Sequence, residues 1–153
     1  MENERYELKV KSDTMSFRFT SIGPKGEIPK LVVYAKTPTK GLYNLGFGDE
    51  DINTGTINDL VVTNNEDSQK VLATVASTVY EFVKKYPRAW IVATGSTKAR
   101  TRLYQMGISN NLEAITTDFV VFGNKNDAWQ LFEKNVTYDA FLITLKKNKR
   151  WKI

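Results

Sequence analysis

Apolar and polar positions alternate from the start of the chain. Tyr6, Leu8 and Val10 are followed, beyond a turn at Ser12-Asp13, by Met15, Phe17 and Phe19. Period-two alternation places every second side chain on one face of a pleated strand, so these two runs predict a hairpin. The turn cluster Gly23-Pro24-Lys25-Gly26 precedes Leu31-Val32-Val33-Tyr34, a third strand by its β-branched and aromatic content, with Pro29 marking its entry or an edge. A fourth is expected at LYNLGFGD (42–49), where Gly46 and Gly48 signal a bulge or close approach by another group. Asn53-Thr54-Gly55, flanked by Ile52 and Ile57 and running into Leu60-Val61-Val62, reads as the strongest hairpin in the chain.

The period then changes to helical. Val71/Leu72, Val75/Ala76, Val79, Phe82/Val83 and Tyr86 recur on one helix face, with Glu66 and Asp67 supplying cap and dipole chemistry and Pro87 ending the run. Trp90–Ala93 is a short buried strand, and a second, shorter helix opens after it. An Asn-rich joint at Ser109-Asn110-Asn111 leads to strands at Phe119–Phe122, Trp129–Phe132 and Ala140–Leu145. This order predicts an α+β chain with a mostly antiparallel mixed sheet, one long and one short helix, and a single domain over residues 1–145.

The second helix starts within ATGSTKARTRLYQMG (93–107), which puts Lys98, Arg100 and Arg102 at the positive end of a helix dipole. That placement costs on the order of a few tenths of a kcal/mol per exposed cation. On a helical wheel Ala99, Leu103 and Met106 form the face expected to pack on the sheet. Lys98, Arg102 and Gln105 flank it on one side, Arg100 and Tyr104 on the other. Gly95, Ser96 and Thr97 supply a tight turn, backbone N–H groups and two hydroxyls. With Lys98, Arg100 and Arg102 they form a candidate phosphate cradle, with Tyr104 beside it. The plainer alternative stays open: Ser96 or Thr97 is an N-cap and the cations pair with surface acids. No Walker loop or GxGxxG run is present.

Composition removes several chemistries. The 153-residue chain has no Cys and no His, which excludes disulfides, thiolate nucleophiles, imidazole ligands and Ser-His-Asp catalysis. Asp49, Asp51 and Asn53 resemble the start of a calcium loop, but Gly55 falls one place late and no Glu follows where one is required, so the segment reads as a turn and no metal is assigned. The N-terminal MENERYELKVKSD has no apolar h-region and no window reaches membrane-spanning length, so a cytoplasmic protein is expected and the sequon Asn135-Val136-Thr137 is read as chance. The net charge of +5 is concentrated at 146–153, which holds five of the 22 cations and no acid. Without it 17 cations face 17 acids. That tail is either a solvated extension or a basic arm with Trp151 to stack on a base. The cations of the second helix are therefore a local feature, not part of a general basic excess.

The run NDLVVTNNEDSQKVLATVASTVYEFVKKYP followed by ATGSTKARTRLYQMGIS, together with LYNLGFGD and TGTINDLVV, resembles a bacterial family, mostly from Bacteroidota, known as a domain of unknown function. The likeness covers nearly the whole chain and implies no activity. In addition, the order strand (Ile57 to Val62), long helix, strand (Trp90 to Ala93), short helix, antiparallel strands is similar to the GCN5-related N-acetyltransferase fold. That resemblance implies CoA as cofactor, held by a Gly-rich turn before the long helix, and a role for Tyr104 in protonating the departing thiolate. The turn here, Asn64-Asn65-Glu66-Asp67-Ser68-Gln69-Lys70, has no glycine and carries two acids, so the resemblance implies a lost standard cofactor site.

Three classes of function remain. The first is a binding module for a phosphate-bearing ligand or nucleic acid at Gly95–Arg102. The second is a diverged acyltransferase with Tyr104 as acid and Asp59 as base. The third is a protein-interaction domain without catalysis.

Overall fold

The computed structural model describes residues 4–10, 15–58, 63–95 and 97–148. The Ser12-Asp13 turn, Asp59 to Val62, Ser96 and the tail from Lys149 lie outside the described residues. Among the described residues eight strands form one mixed sheet: β1 (Lys9–Val10), β2 (Ser16–Gly23), β3 (Gly26–Lys36), β4 (Leu42–Asp49), β5 (Trp90–Ala93), β6 (Phe119–Lys125), β7 (Ala128–Leu131) and β8 (Ala140–Leu145). Their spatial order is β1-β2-β3-β4-β5-β8-β6-β7, with β4 and β5 parallel and every other pair antiparallel. Three α-helices among the described residues accompany the sheet: α1 (Ser68–Lys85), α2 (Lys98–Asn110) and α3 (Leu112–Asp118). The protein is one α+β domain, as the alternation of periods predicts.

Local chemistry explains most elements. The burial of β2 alternates, placing Phe17, Phe19 and Ser21 on the covered face. Pro24 and Lys25 form a two-residue turn between Gly23 and Gly26, and Gly26 takes the positive φ of 89° that this turn needs. Helix α1 is the crossover between the parallel strands β4 and β5, which antiparallel neighbours do not require. It buries Val71, Val75, Val79, Phe82 and Val83 against the sheet. The Phe82 ring stacks on Tyr34 with centroids 4.1 Å apart, and the Tyr34 hydroxyl meets Thr78 Oγ1 at 2.7 Å. Lys146–Asn148 form a short 3-10 turn, and Asn148 Nδ2 donates to Pro87 O at 2.9 Å.

Two expectations change. Asn53-Thr54-Gly55 is a tight turn, with Asp51 N donating to Thr56 O at 2.7 Å; among the described residues its flanks form the single antiparallel bridge Glu50 to Ile57, and the expected strand at Leu60-Val61-Val62 lies outside them. Ile57 packs on β4, where a Cβ at Gly48 would lie 2.8 Å from Ile57 Cγ2; this is the close approach that the glycines announce. The strand parallel to β5 is β4. Finally, α3 is an unforeseen helix after the Asn-rich joint. Its only buried residue is Ile115, so it is too short and too exposed to leave a helical period in the sequence.

Candidate functional site

Helix α2 is the functional question, and it sits the opposite way round from the wheel. Its buried residues are Arg100 and Tyr104, while Ala99 is exposed and Met106 is 37% exposed. The wheel ranks Ala99 and Met106 above an arginine, but burial of the aromatic Tyr104 ring turns the helix, and Arg100, four residues before it, is carried inward. The guanidinium is hydrogen-bonded there: Nη2 donates to Asn58 O, and a Cβ at Gly48 would lie 3.4 Å from that nitrogen. Arg100 thus lies over β4 beyond Asn44, the last residue of β4 paired with β5. It ties the 50–58 turn to the sheet.

The start of α2 is built by packing as much as by polarity. Thr97 is the N-cap, its Oγ1 accepting from Arg100 N at 3.2 Å, as one of the two cap alternatives foresaw. Gly95 N donates to Thr101 Oγ1 at 3.2 Å, so this backbone donor already has a partner. Lys98 and Arg102 are exposed, one turn apart, and among the described residues neither forms an ion pair with a carboxylate. Of the six predicted phosphate ligands, the structure brings Gly95, Thr97, Lys98 and Arg102 to one groove and turns the Arg100 guanidinium away from them. Ser96 lies outside the described residues.

The groove encloses about 900 Å³ between α2 and the segment before β8. Its far wall carries Asn135, Thr137 and Asp139, which the sequence marks only through the sequon Asn135-Val136-Thr137 and not as part of a site. The two walls are fixed to each other by Gln105, which donates from Nε2 to Val136 O and accepts from Tyr138 N at 3.1 Å. Tyr138 is itself anchored: its hydroxyl accepts from Glu133 N at 3.0 Å, and its ring fills the space where Gly123 has no Cβ. A preformed groove with a cationic wall at a helix N-terminus suits an anion, and Asp139 limits how far an anionic ligand reaches across it.

A second recess, of about 220 Å³, lies on the other side of Met106 at the carboxyl end of β4. Phe47, Val71, Leu72 and Leu103 make it largely apolar. Lys30 stands at its edge, 1% exposed and hydrogen-bonded to Asp49 Oδ1 and Thr63 O. In the loop before α1, Asn65 and Asp67 are engaged by the fold. Asn65 accepts from Lys25 N at 2.7 Å and donates to Gly26 O at 2.9 Å, and Asp67 accepts from Tyr6 and Ser21 hydroxyls, each at 2.5 Å. Tyr104 is buried with a bond to the Phe47 backbone. Burial pushes its phenol up to about 12, against the opposing pulls of that bond and of Arg100, so its proton is retained at neutral pH.

A family model described as a family of unknown function (DUF6934) matches residues 2–146. The chain belongs to this family. The match to DUF6934 takes in every strand and helix of the sheet domain and both walls of the groove, and it ends where the basic run starts at Lys146. No curated protein and no solved structure matches the chain. Among the described residues no helix is long and apolar enough to cross a membrane.

The burial of Arg100 separates it from its two cationic neighbours in a measurable way. Arg100→Ala leaves the Asn58 carbonyl without this donor beside a filled part of the sheet. It should lower stability by about 2 kcal/mol, whereas Lys98→Ala should stay within about 0.5 kcal/mol of wild type. Urea denaturation of both variants checks this, and equal stabilities would show that Arg100 is an ordinary surface cation.

Proposed function

We propose that this DUF6934 domain is a small binding module that holds a phosphate-bearing ligand, nucleotide or nucleic acid, in the groove beside α2. The observation that carries the reading is the pair Lys98 and Arg102: both are exposed, both face one preformed groove, and neither is matched by a carboxylate among the described residues. Thr97 and Gly95 border the same groove at the helix start, where the dipole adds to the positive potential. The binding set is Gly95, Thr97, Lys98 and Arg102, with Ser96 between them in sequence. Arg100 acts from behind by fixing the turn. The setting that goes with this reading is a bacterial cytoplasm.

Titration with ADP, CoA and a short oligonucleotide tests it. The variant Lys98→Ala/Arg102→Ala should bind about tenfold more weakly, the equivalent of roughly 1.4 kcal/mol, with unchanged folding. Oligonucleotide affinity should fall steeply with added salt as counterions are released. Equal binding by wild type and double variant removes the site, and no binding of any of the three ligands removes the reading.

One observation favours a second reading, a diverged CoA-dependent acyltransferase. The order β4, α1, β5, α2 with β4 and β5 parallel creates a crevice at their carboxyl ends, where ligands of open α/β sheets commonly lie. Tyr104 carries a phenolic proton, as the acid for a departing thiolate must, but its burial raises the pKa and makes it a weaker donor. Against it stand the engaged Asn65 and Asp67 and the Arg100 side chain over Gly48. Binding of CoA but not ADP would select this reading over the first.

A further inference from the structure

A small, partly open apolar void lies among the core side chains. It measures about 60 Å³ and lies where α1, α2 and the sheet meet, walled by Leu45, Val75, Ile91, Phe119 and Phe141. Protein interiors contain few spaces larger than a water molecule, so a void of this size stands out. Three small residues border it from three different elements: Ala76 on α1, Ala93 on β5 and Gly107 on α2. Its two polar side chains are Tyr80 and Tyr104, whose hydroxyls are already engaged, that of Tyr80 by Ala114 O at 3.2 Å and that of Tyr104 by the Phe47 backbone. A water there would lack the two to four partners that buried waters have, and apolar voids stay dry and accept apolar guests.

The void also has a neighbour. Leu72 lines both it and the apolar recess at the carboxyl end of β4, and a Cβ at Gly107 would lie 3.3 Å from Leu72 Cδ2. Leu72 is therefore the partition between the two spaces, held on α1 against the close approach of α2. A leucine that changes rotamer would join them into one site.

We infer that the recess and the void together form an apolar ligand site, gated by Leu72, which takes the short aliphatic end of a small molecule. The void accepts about three carbon atoms, given that voids near 150 Å³ admit benzene. Asn64 and Ser68 at the recess receive the polar end. This site stands apart from the cationic groove, and either can exist without the other.

Xenon and a series of straight-chain alcohols from methanol to octanol are the probes, read by methyl chemical shifts of Leu72, Val75 and Ile91. Xenon and propanol should give saturable shifts at these methyls, with affinity greatest near three or four carbons and weaker beyond about six. Ala93→Val fills the void from the sheet side and Ala76→Leu from the helix side. Saturable binding should drop at least tenfold in whichever of the two folds by circular dichroism. Leu72→Ala, by opening the partition, should move the preferred chain length upward. Shifts that rise linearly without saturation in the wild type, or saturate equally in the filled variants, overturn the proposal. An unchanged length preference in Leu72→Ala overturns the gate.

Discussion

Asp49→Ala should be the most destabilising single change at the edge of the apolar recess, lowering stability by about 3–5 kcal/mol. The residue is 8% exposed, and its carboxylate collects the Lys30 ammonium, Thr63 N at 3.1 Å and Thr63 Oγ1 at 2.6 Å. Truncation leaves Lys30, 1% exposed, as a buried cation with only the Thr63 carbonyl from its present partners. An uncompensated buried charge is far more costly than the pair is stabilising, so the double variant Lys30→Met/Asp49→Leu should recover most of the loss. Urea denaturation of wild type, single and double variants measures both numbers. A single variant within about 1 kcal/mol of wild type would mean that water reaches Lys30 and that the pair is not buried in solution.

Gly95→Ala should cost about 3 kcal/mol, the upper part of the range for a side chain forced into filled space. A Cβ at this position would lie 2.3 Å from Thr101 N and 2.7 Å from both the carbonyl carbon and the Cβ of Arg100. These are backbone or near-backbone atoms of α2, which cannot swing away. The start of the helix would have to move off β5, taking Arg100 from Asn58 and weakening the Thr97 cap. Denaturation together with amide exchange at Gly95 and Thr101 reads the effect. Wild-type stability in Gly95→Ala would show that the turn is loose. Close packing by itself requires a glycine here, independently of any contact that Gly95 makes in the groove.

Both changes bear on the groove indirectly, and that bears on how its residues are to be tested. Loss of binding in Gly95→Ala or Arg100→Ala would follow from a displaced helix start, so neither variant reports on contact with an anion. Lys98 and Arg102 do, because their side chains hold no part of the fold together among the described residues.

Much of the architecture was legible in the linear pattern because it depends on neighbours two to four residues away. Phe17 and Phe19 alternate onto the covered face, Val71 to Val83 repeat along α1, and β8 begins and ends where the apolar run Ala140–Leu145 does. The missing Cys and His settle which chemistries are impossible whatever the fold. The local excess of charge at Lys98, Arg100 and Arg102 was equally plain, and it led to the groove.

The direction in which those cations point was decided only in three dimensions. Arg100 is buried because Asn58, 42 positions earlier, offers a carbonyl beside Gly48, and no periodicity within α2 encodes a partner that distant. Likewise the far wall of the groove comes from Asn135, Thr137 and Asp139 because Gln105 bridges to Val136 and Tyr138 across more than 30 residues of chain. The pairing of Lys30 with Asp49 comes from the β3–β4 register, and the void between α1, α2 and β5 from three small side chains on elements far apart in sequence. Sequence determines which faces seek burial, since that is a property of the residues themselves. What each face meets depends on how the elements pack, and the candidate sites of this protein arise at those meetings.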